Sequence, residues 1–214
     1  MNLLIDPLPE KITIDDKEYP IRWDFRVGIL YELMMLDEDV KGAEKPLLAL
    51  RLFYPEIPPN WKKALEGIQW FYCGGDEKKS FSKRKGGQKK RERIYSFEQD
   101  AAYIYSAFLE QYSLDLTEAW QLHWWRFRAL FQGIREDTEF AKIMGYRAME
   151  ISEGMAKEQR EFYRRMKEIH RLPISKGEEE KLSAIESALM SGGDLTGLLG
   201  RRLMKVALKK GLPI

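Results

Sequence analysis

On either side of residues 76–95, from Phe25 to Tyr72 and from Phe97 to Ile151, the apolar side chains return mostly every three or four positions, and that period admits little besides helices. Phe25, Ile29 and Leu33 mark a first helix behind Asp24, a residue suited to cap it. Two further helical stretches are expected near 44–54 and 60–73, parted by "YPEIPPN", whose three prolines a helix interior rejects. The second ends at Cys73-Gly74-Gly75, and glycine behind the last apolar residue is a common helix stop.

One segment runs at a period of two. In "KITIDDKEYPIRW", Ile12, Ile14, Tyr19, Ile21 and Trp23 alternate with polar residues around Asp15-Asp16-Lys17, which predicts a short β-hairpin. Pro20 lacks an amide hydrogen and belongs on an edge strand. Two strands alone are marginal in water, so this ribbon must rest on helices. The expected fold is therefore mainly α: a multi-helix bundle with a short N-terminal β-hairpin and a basic internal loop.

That loop is a change of composition. From Asp76 to Arg93 there are nine Lys/Arg against three Asp/Glu, within a whole-chain charge of only +2, so the remaining residues are net acidic. Residues 76–95 are poor in apolar side chains and interrupted by glycine, as expected of a flexible connection. Helical signals then resume. Ser96 and Gln99 form a capping-box pair before Phe97, Ala101, Ile104, Phe108 and Tyr112. Asp115 and Glu118 precede a second run, Leu116, Trp120, Trp124, Phe127, Phe131 and Ile134. Asp137 or Thr138 can cap a third, with Phe140, Ile143, Met144, Ala148 and Ile151. No proline occurs from there to Pro173; a single rod over 138–171 would extend about 50 Å, and Gly145 and Gly154 leave its continuity open. One more helix is expected near 178–190, before a basic, leucine-containing C-terminal stretch. The domain reading is 1–75 for the hairpin and first helices, 76–95 for the loop, 96–172 for an aromatic-rich helical region packed on the N-terminal part as one domain, and 173–214 for a helical or partly disordered tail.

A chain of 214 residues can bury a core without disulfide or metal, and the lone Cys73 rules out a disulfide within it. The start lacks the basic and apolar segments of a secretory signal, and no apolar run is long enough to span a membrane. His123 and His170 sit far apart without a second ligand at helical spacing, so no metal site is expected. Neither "CGGDEKKS" nor "GLLGRR" completes a phosphate-binding or RNA-binding loop. No catalytic or cofactor-binding constellation emerges; the reading is a non-enzyme.

Two interaction readings follow from the residues. Seven of the eleven positions from Lys83 to Arg93 are basic (Lys83, Arg84, Lys85, Lys89, Lys90, Arg91 and Arg93), enough to attract a phosphate backbone or an acidic protein surface. Within "AWQLHWWRFRALFQGI", Trp120, Trp124 and Phe127 share one helical face and are expected in the core, whereas Trp125 and Arg128 fall about 100° away and Arg126 further round. Tryptophan and arginine are frequent interface anchors. The expected partner-binding set is Trp124, Trp125, Arg126, Arg128 and, on the charged 155–171 helix, Phe162 and Met166.

The strings "DFR" at 24–26, "LRLFYPEIP" at 50–58, "FEQDAAYIYSAFLEQYSLDL" at 97–116, "LHWWRFRALF" at 122–131 and "KIMGYRAMEIS" at 142–152 resemble the bacteriophage gene-product-fifteen family over about residues 1–172. That resemblance implies a tail assembly protein of tailed phages and prophages, acting in the host bacterial cytoplasm. It further implies a chaperone for the long helical tape-measure protein, self-associating and contacting other tail proteins. A nucleic-acid-binding accessory factor and a permanent structural part of the tail are the alternatives.

Overall fold

In the computed structural model, which describes residues 2–76 and 93–173, the hairpin pairs β1 (Lys11–Ile14) antiparallel with β2 (Lys17–Pro20). Asp15 and Asp16 turn the chain at φ 49° and 63°, the left-handed geometry that matches strand twist in a two-residue turn. Asp15 then accepts hydrogen bonds from Asn60 Nδ2 at 2.8 Å and Lys63 Nζ at 2.5 Å. Those bonds, Lys63 foremost, hold its carboxyl below the ordinary range. They dock the turn on the start of α3 (Trp61–Tyr72). Ile12, Ile14 and Tyr19 are buried, and a Cβ at Gly67 of α3 would stand 2.8 Å from Ile12 Cγ2, so the glycine sets how closely the hairpin approaches.

Before α3 come α1 (Phe25–Leu36) and α2 (Lys45–Phe53). Asp24 caps α1 by accepting from the Arg26 amide, and Asn60 caps α3 by accepting from that of Lys63. Gly74 and Gly75 adopt φ of 75° and 77° behind α3, as the sequence predicts. The second half contains α4 (Ala101–Tyr112), α5 (Trp124–Gln132), α6 (Glu139–Ala148) and α7 (Lys157–Ile169), seven helices in all among the described residues. The fold is mainly α with one N-terminal hairpin. Met1–Leu172 forms one compact unit. The expected helix at 178–190 and the basic C-terminal stretch lie outside the described residues, as does most of the basic loop.

Three local expectations are revised. The helix expected behind Asp115 begins only at Trp124, because Trp124 N donates to Trp23 O and Phe25 N to Leu122 O. This pairing holds 122–124 extended beside 23–25, and long-range backbone hydrogen bonds override the local helical pattern. At α4, the Ser96 amide is satisfied by Asp100 Oδ2 at 2.9 Å rather than by Gln99, while Ser96 Oγ accepts from the Gln99 amide. The possible rod over 138–171 is two helices: α6 stops at Ala148, Met149 turns to ψ 123°, and α7 starts eight residues later.

Phe127 lies at the centre of the core with no exposed surface, stacked on Phe25 (4.9 Å between centroids), Phe108 (5.1 Å) and Trp124 (5.8 Å). Hairpin, first helices and α4–α6 thus meet in one aromatic cluster. Beside it runs a buried ion pair. Arg147 of α6 donates to both carboxylate oxygens of Asp100 (2.6 and 2.9 Å), to Ile94 O at 3.1 Å and, through Nε, to His170 O at 2.6 Å. Every polar atom of that pair that leaves water finds a partner, which is what makes its burial tolerable.

Candidate docking surface

The end of α3 explains where the tryptophans go. Its last carbonyls have no partner within the helix. Trp125 Nε1 donates to Phe71 O at 2.7 Å, while Trp124 Nε1 (3.0 Å) and Arg128 Nη1 (2.8 Å) both donate to Tyr72 O. Trp124 and Trp125 are therefore buried, capping α3, which bears out the core place expected of Trp124 and leaves neither available as the surface anchor the sequence reading also made of them. Arg128 is half-buried by the same role and Arg126 is exposed on the outer side of α5. Of the basic set, Lys83, Arg84, Lys85, Lys89, Lys90 and Arg91 lie outside the described residues, and Arg93 is exposed.

Trp120, expected in the core, is 78% exposed. It sits in the connection before α5, on no helix, so helical spacing says nothing of its direction. Arg26 holds it there: the guanidinium lies 4.8 Å from the indole centroid and donates to Leu116 O (2.9 Å) and Ala119 O (3.3 Å). No sequence pattern links Arg26 to residues ninety positions away.

Arg128 separates two recesses. One, of about 260 Å³, is lined by Leu3, Cys73, Gly74, Asp76, Trp125 and Gln132 among others. The other, of about 320 Å³, is walled by Trp124, Phe127, Phe97 and Phe131 around Glu32, Tyr72 and Tyr95. Both phenols donate to the Glu32 carboxylate, and burial, with that negative charge second, pushes their titration well above the ordinary value. Among the described residues no group of three or more His, Cys, Asp or Glu could hold a metal ion.

The open apolar surface is on helices. No residue of α7 is buried. One edge of it touches α6: Tyr146 meets the Phe162 ring edge-on and stacks on His170, and Lys167 Nζ donates to Met149 O at 2.8 Å. Met166 is half-buried, while Phe162 (48%) and Ile169 (59%), two turns apart, face solvent. Of the six partner residues expected from the sequence, Phe162 and Met166 lie together here and Arg126 is exposed elsewhere. Further apolar side chains that the sequence reading did not single out are exposed on α1 (Leu30, Met35 and Leu36) and α2 (Leu47 and Leu48).

Fold and surface together define a mainly α protein, aromatic inside, with apolar helix faces left open. The family model described as Bacteriophage Gp15 protein matches residues 4–172, and the chain belongs to that family. It is a phage-related protein. No curated protein and no solved structure matches it. No helix among the described residues is long and apolar enough to cross a membrane.

Proposed function

We propose that this chain is a non-enzymatic tail assembly chaperone that covers the tape-measure protein in the host cytoplasm until tail-tube subunits replace it. The observation that carries the reading is α7, a charged amphipathic helix seated by one edge, with Phe162 and Ile169 left in water. Exposed apolar side chains at helical spacing suit a helix-in-groove contact. A tape measure is a long helical chain that would aggregate through its own apolar face if left bare. Weak contacts repeated along one rod, with neighbouring copies also touching, gain avidity and remain displaceable. Co-expression with the tape measure of the same phage tests this. The tape measure is expected to become soluble with the wild-type chain and to precipitate again with Phe162→Glu/Ile169→Glu; because Phe162 also meets Tyr146, Ile169→Glu alone and circular dichroism of both variants show that the loss is not one of fold. A tape measure equally insoluble with and without the wild-type chain would overturn the proposal. Mass spectrometry of purified virions separates a transient chaperone, absent from particles, from a permanent tail component.

A further inference from the structure

Leu4 and Ile5 are 90% and 78% exposed, side by side in a turn that is closed on itself. The Ile5 and Asp6 amides donate to Asn2 O, the Leu4 amide to Asn2 Oδ1, and the Asn2 amide to Asp6 Oδ2. The turn is thus held in shape by its own polar groups, and a contact with its tip takes few unpaired ones out of water. Leu3 beside it lines the recess at Trp125, on one side of Arg128. On the other side of Arg128 lies the aromatic recess, with Phe97, Trp124, Phe127 and Phe131 as apolar walls. Its polar groups are turned to one another: the Tyr72 and Tyr95 hydroxyls donate to Glu32, and Trp124 Nε1 and Arg128 Nη1 donate to Tyr72 O.

Charge and size choose what this recess takes. Glu32 and Arg128 bring opposite charges to it, so it favours neither a cation nor an anion and suits an apolar group. Its volume of about 320 Å³ is twice the roughly 150 Å³ that holds one benzene in an engineered cavity, which leaves room for two four-carbon side chains. We infer that the Leu4–Ile5 tip of one copy seats in the aromatic recess of a second copy. Within one chain the two do not meet, since both side chains of the tip face water. Two aliphatic side chains bury far less than the roughly 800 Å² per partner of a stable dimer, so the contact is weak and reversible. Tip and recess are unlike surfaces, and a copy engaged through one still offers the other. The contact uses neither α7 nor any other phage protein, and it stands apart from the chaperone reading.

Sedimentation equilibrium of the full-length protein from about 10 μM to about 1 mM, a range that spans weak contacts, tests the inference. The wild-type chain is expected to gain mass with concentration. Leu4→Glu/Ile5→Glu, at positions already in water, is expected to weaken that association by roughly tenfold. Gln132→Arg, which sets a charged chain at the exposed mouth of the recess, is expected to do the same. The first variant keeps its recess and the second its tip, so mixing them is expected to restore a dimer and nothing larger. A wild-type chain that stays monomeric across the range, a tip variant that associates like wild type, or a mixture with no more dimer than either variant alone overturns the proposal. A diazirine analogue of leucine at position 4, mixed with an isotope-labelled copy, reads the contact without disturbing the fold. Crosslinks to Phe97, Phe131 or Gln132 of the labelled copy support the seat, and crosslinks confined to the same chain or to other residues refute it.

Discussion

His123 joins two parts of the chain through one imidazole. Nδ1 accepts from the Trp125 amide at 3.0 Å and caps α5, so Nε2 carries the proton and donates to Pro9 O at 3.0 Å. Burial, aided by the Arg126 charge, holds the ring below its ordinary value of 6.5. The unfolded chain therefore takes up a proton near pH 6.5 while the folded chain does not. Stability from this group is complete above that pH and declines as pH falls from there toward the lower folded value. The urea midpoint should drop between pH 7.5 and pH 5, and His123→Asn, which keeps a cap acceptor but cannot titrate, should flatten that drop. A variant profile parallel to wild type would exclude His123 as its source. Arg147 gives the second residue-scale prediction. Arg147→Met leaves the Asp100 carboxylate buried without its cation, at a cost of about 3–5 kcal/mol in denaturant unfolding. Adding Asp100→Asn removes that charge and should restore part of the loss. A double variant no more stable than the single one would show that packing, not charge, sets the penalty.

At the scale of elements, the sequence reads well where a helix carries its own ends. Asp24 and Thr138 cap α1 and α6, and Gly74-Gly75 closes α3. It reads poorly where a distant segment decides. The start of α5 is set by Trp23, a hundred residues earlier, and projecting helical spacing through that point exchanged the places of Trp120 and Trp125. Phe162 and Met166 were legible as surface candidates because α7 is charged on nearly every other position. The exposed leucines of α1 and α2 were not, since an apolar period alone does not tell a covered side from an open one. Helix α7, without a buried residue, is held by ring contacts and by the hydrogen bonds from Arg147 and Lys167. Its amides should exchange through a local opening, well below the free energy that protects α3 and α5. Native-state hydrogen exchange across low denaturant concentrations checks this. Protection of α7 equal to that of α5 would mean that it opens only with the whole unit, and that its stripe is offered as a rigid face.

For the whole molecule, the question is whether hairpin, α1–α3 and α4–α6 are one folding unit despite the basic segment that interrupts them. The aromatic cluster argues that they are. Phe25 and Phe127 stack across a hundred residues of sequence, Trp125 caps α3, and Arg147 ties Ile94 to Asp100. Removing either half strips the other of ring contacts, helix-end hydrogen bonds and buried apolar area together, so neither half retains a closed core. Tryptophan fluorescence, dominated by residues at the junction, and far-ultraviolet circular dichroism, which counts helices everywhere, should give coincident urea transitions for the fragment 1–172. The same fragment should keep the wild-type midpoint for that transition, because Met1–Leu172 is compact on its own. If the fluorescence transition precedes the loss of helix, the junction opens before its parts, and the two halves are separate domains that share an interface.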